Sequence, residues 1–224
     1  MASGPAVIVM ARAPRLGEGK SRLRSVLTDQ ERLRLQEAFL QDTVDVALNA
    51  NAGRVYLAIT PPDAVPWGES EVGAEVTAIA QVGDDLGQRM FNAIQHAATE
   101  GHRPVIVIGT DAPLLQPAHL HAALEALTRA DVCFGPSEDG GYYLVASNEP
   151  QASLFDDVAW GADQVLNTSL ARARDAGLKC ELLDELYDVD TPADLERLVT
   201  DLRSADEGTA PHTRQAFLQG VVTS

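Results

Sequence analysis

Val105-Ile106-Val107-Ile108-Gly109-Thr110-Asp111-Ala112-Pro113 reads as a buried apolar strand that ends on an aspartate and is followed at once by a proline turn. In an open α/β sheet, ligands gather at the carboxyl ends of the strands. Asp111 stands at such an end, and a carboxylate held on a rigid strand can grip a divalent cation through its oxygens. Asp before a proline turn is also an ordinary cap or turn former. Two other stretches belong with this one. Asp188-Val189-Asp190-Thr191-Pro192 brings a late acidic pair. In an extended segment its two carboxylates face the same way, about 7 Å apart, which suits shared cation coordination. Asp190 or Thr191 also fits as the cap of a helix beginning at Pro192. The early loop Arg12-Ala13-Pro14-Arg15-Leu16-Gly17-Glu18-Gly19-Lys20-Ser21-Arg22 brings the cations. Basic loop, strand-end aspartate and acidic pair together suggest chemistry on a nucleotide phosphate.

Outward from these stretches, strand and helix patterns alternate. Residues 6–10, 55–60, 75–80, 104–110, 132–134, 142–146 and 180–183 read as strands, several of them apolar and rich in β-branched residues. Thr28 and Glu31 fit a capping box before an amphipathic helix of about twenty residues. Further helices are expected over 86–98, 117–129, 162–176 and 192–203, with Pro117 at a favoured first position and Gly177 as a terminator. Residues 61–74 read as a loop rich in Pro, Gly and acid. The alternation implies an α/β fold with a mostly parallel sheet covered on both sides. One domain is expected over 1–203, followed over 204–224 by a linker and tail. Residues 204–213 are polar and read as mobile, with Ala216-Phe217-Leu218 and Val221-Val222 able to dock beyond them.

The 224 residues, 45% hydrophobic and 22% charged, are enough for one sizeable core. A net charge of −16 argues against a nucleic-acid or anionic-membrane surface. It also means that a nucleotide must meet local cations, helix N-termini or a bound Mg²⁺. The apolar runs are far shorter than a membrane span, and the run 6–11 is too short for a signal-peptide core, so a cytoplasmic protein is expected. Cys133 and Cys180 lack any metal or disulfide spacing and read as small buried hydrophobes. His96, His102, His119, His121 and His212 show no metal spacing and read as surface residues. No Gly-x-Ser-x-Gly elbow or Cys/His dyad is evident.

The first loop has neither Walker A nor GxGxxG spacing, but it suits an anion. Gly17 and Gly19 allow close backbone approach, and Lys20 and Arg22 place charge where a helix begins. A solvated basic turn is the alternative. In Gly83-Asp84-Asp85-Leu86-Gly87-Gln88-Arg89, a cation in the first helical turn opposes the helix dipole, which an anion bound nearby would explain. In Ser137-Glu138-Asp139-Gly140-Gly141-Tyr142-Tyr143, Asp139 is placed to bind an acceptor hydroxyl or act as a general base. A plain Asp-Gly hairpin turn is its alternative.

Taken together, the ordered motifs ARAP…GKSRL, GDDLGQRM, VIGTDAPLL, GPSEDGGYYLV and DVDTPADL closely resemble a bacterial glycosyltransferase family linked in part to arsenosugar biosynthesis and long catalogued as a domain of unknown function. The likeness spans about residues 6–200, and the closing HTRQAFL resembles that family's tail. It implies the nucleotide-diphospho-sugar transferase (GT-A-like) fold, a three-layer α/β/α sandwich with a mixed sheet. More distantly the chain resembles the 2-phospho-lactate and phosphoenolpyruvate guanylyltransferases. On that likeness Asp111, Asp188 and Asp190 would hold Mg²⁺ or Mn²⁺, and Lys20 and Arg22 would contact phosphate. The guanylyltransferases carry Gly-Thr-Asn where this chain has Gly140-Gly141-Tyr142-Tyr143, which favours the glycosyltransferase branch. The family often has a serine or threonine after its tryptophan, where Trp160-Gly161-Ala162-Asp163 stands here.

The resemblance thus implies a metal-dependent transfer from a nucleotide-diphosphate sugar to a small-molecule acceptor. Ala11, Arg12, Ala13, Gly17, Lys20, Arg22, Gly83, Asp84, Gly87, Arg89 and Thr110 are expected around the nucleotide, with Lys20 and Asp139 as catalytic groups. Nucleotidyl transfer with pyrophosphate release is one alternative, and a silent nucleotide-binding protein another.

Overall fold

The structure, a computed structural model, describes residues 4–218. Two strands form its centre. β1 (Ala6–Arg12) and β4 (Val105–Ile108) run parallel, and β4 is buried throughout. On one side follow β2 (Arg54–Thr60) and β3 (Val76–Ala80), both parallel. On the other come β5 (Val132–Pro136), β6 (Tyr142–Ser147) and β7 (Cys180–Leu182). The sheet order is β3-β2-β1-β4-β6-β5-β7. β6 is antiparallel to both of its neighbours, so the sheet is mostly parallel but mixed.

Burial on both faces explains the unbroken apolar strands. Val7, Val9 and Ala11 of β1 join one core, while Ala6, Ile8 and Met10 join the other, as a period of two requires. The first core lies under α1 (Asp29–Asn49), α2 (Val65–Val72) and α4 (Pro117–Ala126). The second lies under α3 (Leu86–Thr99) and α5 (Val165–Asp175). A third cluster packs the outer side of α1, through Leu35 and Phe39, against α6 (Pro192–Ser204) and α7 (Pro211–Ala216). The expected three-layer α/β/α sandwich is therefore the fold this chain adopts. Among the described residues, no helix is long and apolar enough to cross a membrane.

Two segments differ from the sequence expectation. Within 61–74, read as loop, the chain forms α2, whose Val65, Trp67 and Val72 pack on the first core. Burial there overrides the poor helix propensity of a Pro/Gly-rich stretch. The polar stretch 204–213 is not a free linker: Thr209, Ala210 and Thr213 are buried. Asp42 on α1 holds this segment by accepting the His212 and Thr213 backbone N–H groups, both at 2.9 Å, and the Thr213 hydroxyl at 2.6 Å. Beyond it Ala216 is buried, Phe217 packs on the third cluster and Leu218 is exposed; Val221 and Val222 lie outside the described residues.

Asp42→Ala leaves three donors at the start of α7 unpaired, two of them on the fully buried Thr213. The expected loss is about 2–3 kcal/mol, because unsatisfied buried donors retain their desolvation cost. Urea denaturation and tryptic cleavage after Arg214 check this. An unchanged midpoint together with a protected tail would show that Asp42 does not hold α7.

Candidate active site

A cleft of about 520 Å³ opens at the carboxyl edge of the sheet, across the ends of β1, β4 and β6. The backbone draws distant acids into it. The Val189 N–H donates to the Asp111 carbonyl at 2.9 Å, and the Leu186 N–H donates to the Pro136 carbonyl at 3.1 Å. The segment before α6 is thereby tied to the ends of both β4 and β5. Thr191, not Asp190, caps α6, with Asp194 reaching back in a full capping box. Asp188 and Asp190 are left to line the cleft with Asp111.

Lys20 stands between these acids. Its Nζ lies 2.5 Å from Asp111 Oδ1 and 3.0 Å from Asp190 Oδ1, and 5.6 Å from the centre of the Phe39 ring. Its side chain is 6% exposed, against 52% and 45% for the two aspartates. Burial pulls the Lys20 pKa down, but Asp111 and Asp190 outweigh it, so the ammonium is held above its ordinary value. Arg22 reaches the same group only loosely, 4.0 Å from Asp190 Oδ2. Asp188 accepts the Ser137 hydroxyl. Burial raises its carboxyl to about 6, with Asp111 and Asp139 adding and Ser137 and Lys20 opposing.

Lys20 has an unusual backbone, φ 40°, in the left-handed region. Side chains of α1 hold its loop from beneath. Arg32, 1% exposed, donates to the Gly19 carbonyl at 2.6 Å and pairs with Asp29. Gln36 donates to the Glu18 carbonyl at 3.0 Å. Neither was singled out from the sequence. A signal for Arg32 exists: it lies three and seven positions before Leu35 and Phe39, on their buried helix face.

On the far wall, Asp139 Oδ1 accepts the Gly141 N–H at 2.9 Å, so Asp139 forms the expected turn and also lines the cleft. Arg197 of α6 grips the adjacent Glu138 with two bonds of 2.7 and 2.9 Å. Gly140 has φ 88°, and a Cβ there would fall 2.0 Å from the Asp163 carbonyl oxygen. The glycine is therefore needed for docking the segment before α5 onto this turn. Tyr142 and Tyr143 are largely committed to packing, and Tyr143 donates to the Asp184 carbonyl at 3.0 Å.

Arg12, Lys20, Thr110, Asp111, Asp139, Asp188 and Asp190 thus share one cleft, while the other residues expected around the nucleotide have neighbouring duties. Ala11 and Ala13 are buried sheet-end backbone, bonded to Gln81 and to the Thr60 carbonyl. Gly17 accepts from Arg24. The Arg89 guanidinium donates to the Gly83 carbonyl at 3.0 Å, which accounts for a cation in the first turn of α3 without any anion. The Asp84 N–H donates to Gln88, and Gly87 lies against Trp160. Of the histidines, His119 caps α4, while His121 and His212 bond to Ala50 and Asp45.

Among the described residues, no three His, Cys, Asp or Glu are already gathered closely enough to hold a metal ion; the Lys20 ammonium stands where two of the acids meet. The donor chemistry nevertheless fits Mg²⁺ or Mn²⁺: three carboxylates in one cleft, two of them about half exposed, with no thiolate or imidazole among them.

The chain is similar to known proteins in sequence and in fold. The phosphoenolpyruvate guanylyltransferase of Streptomyces coelicolor is 31% identical over 191 residues, which is 80% of this chain and 84% of that protein. The 2-phospho-L-lactate guanylyltransferase of Methanosarcina barkeri is 28% identical over 186 residues, 80% of each. A solved structure from Desulfovibrio desulfuricans G20, provisionally named a nucleotide-diphospho-sugar transferase, superposes with a TM-score of 0.88 at 27% identity, covering 96% of this chain and 94% of its own. A family profile described as "Uncharacterized protein conserved in bacteria (DUF2064)" matches residues 43–162, more than half of the chain, and the protein belongs to that family.

Proposed function

We propose that the protein is a metal-dependent glycosyltransferase of the cytoplasm that moves a sugar from a nucleotide diphosphate to a small-molecule acceptor. The observation that carries this reading is the Lys20 ammonium paired with Asp111 and Asp190 in the strand-end cleft. Asp111, Asp188 and Asp190 would hold Mg²⁺ or Mn²⁺, which supplies Lewis-acid neutralisation of a leaving diphosphate. Lys20, fixed by its αL turn and by Arg32, offers a preorganised positive charge to the same phosphates. Arg12 adds a second, exposed cation at the end of β1. Asp139 keeps one oxygen on the Gly141 amide and turns the other to the acceptor hydroxyl. The acceptor proton goes to Asp139 as the new glycosidic bond forms, and the nucleoside diphosphate departs with the electrons of the broken bond.

The guanylyltransferase relatives favour a second reading, in which a nucleoside triphosphate is joined to a phosphorylated small molecule. Thermal-shift titration with sugar nucleotides and triphosphates, with and without Mn²⁺, separates the two. At 100 times Kd a bound nucleotide adds about 2.7 kcal/mol, or roughly 5–10 °C for a chain of this size. The expected result is a Mn²⁺-dependent shift with a sugar nucleotide, and nucleoside diphosphate as product. Pyrophosphate release from a triphosphate, with no shift from any sugar nucleotide, selects the second reading.

A further inference from the structure

We infer that the acceptor is a neutral or cationic hydroxyl compound with a flat apolar face, seated against Trp160, and not a phosphorylated acid. This rests on the transferase reading above and names the substrate class of the same cleft.

The cleft is electrically lopsided. Its lining holds four carboxylates (Asp111, Asp139, Asp188 and Asp190) and two cations, Arg12 and Lys20. A divalent cation on Asp111, Asp188 and Asp190 would serve the donor diphosphate with those cations, which leaves Asp139 as the acid on the acceptor side. Both cations lie on the β1 side, and Lys20 is already shared by two acids. A donor diphosphate bound there engages both cations. The rest of the lining includes Leu86, Met90, Tyr142, Trp160, Ala162 and Val165, together with Asp139 and without a further cation. An acceptor phosphate in that place would meet apolar carbon and a carboxylate, with no cation to compensate its lost hydration.

Trp160 is set as a fixed plane. It stacks on Phe155 with ring centres 6.4 Å apart and planes 29° apart, and meets Tyr142 edge-on at 6.4 Å and 83°. α3 approaches it so closely that a Cβ on Gly87 would lie 2.6 Å from Trp160 Cζ2. The indole Nε1 is buried with no hydrogen-bond partner, so packing alone sets the ring. Gly161 and Ala162 after it add no side-chain hydroxyl or charge. Such a plane suits a ring face, or a cation lying over the indole.

The experiment titrates a matched pair, phenyl β-glucoside and its 6-phosphate, into the full chain by calorimetry. It is done in Mn²⁺ with the nucleotide giving the largest thermal shift, so that Arg12 and Lys20 are already engaged by its phosphates. The neutral member is expected to bind at least 10-fold tighter. Trp160→Ala should weaken the neutral probe at least 10-fold with nucleotide affinity unchanged, and Trp160→Phe, which keeps a flat ring, should restore most of the loss. Ala162→Lys should tighten the phosphorylated probe about 10-fold. Tighter binding of the phosphorylated member to the wild type, or a neutral probe indifferent to Trp160→Ala, overturns the inference. Failure of every sugar nucleotide to shift the melting temperature overturns the donor reading instead, and the titration with whichever other nucleotide binds still ranks the pair.

Discussion

Asp111→Asn is expected to lower turnover about 10³-fold, equivalent to about 4 kcal/mol of barrier, while the fold survives. Asparagine keeps the shape of the side chain and removes the charge that a divalent cation requires. Three features keep the structural cost small. The Asp111 carbonyl still accepts the Val189 N–H, because that bond belongs to the backbone. Lys20 retains Asp190 at 3.0 Å. The carboxylate is 52% exposed, so water already screens its ion pair, and the loss is about 1 kcal/mol or less. Activity and melting temperature therefore part company, and measuring both on one preparation is the check. Turnover equal to wild type would remove Asp111 from the chemistry.

Arg32→Ala is expected to act the other way round, through stability first. Its guanidinium is buried, holds the Gly19 carbonyl and pairs with Asp29. Truncation leaves a partly buried carbonyl without its donor and a void behind the basic loop, a loss of about 3 kcal/mol. Lys20, adjacent to Gly19 and in a left-handed conformation, then loses the anchor that fixes its direction. Denaturant midpoints should fall, and the Mn²⁺-dependent nucleotide shift should shrink even well below the melting temperature. Arg32→Lys should rescue little, since a single ammonium cannot supply two separated N–H arms. An Arg32→Ala protein with wild-type stability and a full nucleotide shift would show that the loop stands unaided.

The site was legible in the sequence where it is made of segments with strong local punctuation. Asp111 follows an apolar strand, Asp139 sits in an Asp-Gly-Gly turn, and Asp188 and Asp190 lie in a short extended run before a capped helix. Only Asp111 could be placed at a sheet edge from its own strand; that Asp188 and Asp190 join it at one cation was implied by the family resemblance. The cation in the first turn of α3 was misleading, because its partner is the Gly83 carbonyl on its own turn and not a ligand. Arg32 was hidden because on a helix of mixed charge it looks like one more solvated residue; only the packing of α6 and the basic loop against α1 buries it. Trp160 entered only through a family pattern, since nothing near it in sequence announces that Gly87 lies beneath its ring.

Strand and helix alternation, the capping boxes at Thr28 and Thr191, and the aspartate at the end of β4 were decided by windows of a few residues. Hydrogen-bonding needs and the periods of 2 and 3.6 act over that range, so the order of symbols suffices. Which acid meets which cation was not decided there. Lys20 and Asp190 are 170 positions apart, and they meet because β1 and β4 are neighbours and the Val189 amide closes onto Asp111. The sheet order and the antiparallel turn of β6 set that geometry, through contacts whose partners are far apart along the chain and are chosen only when the whole core packs.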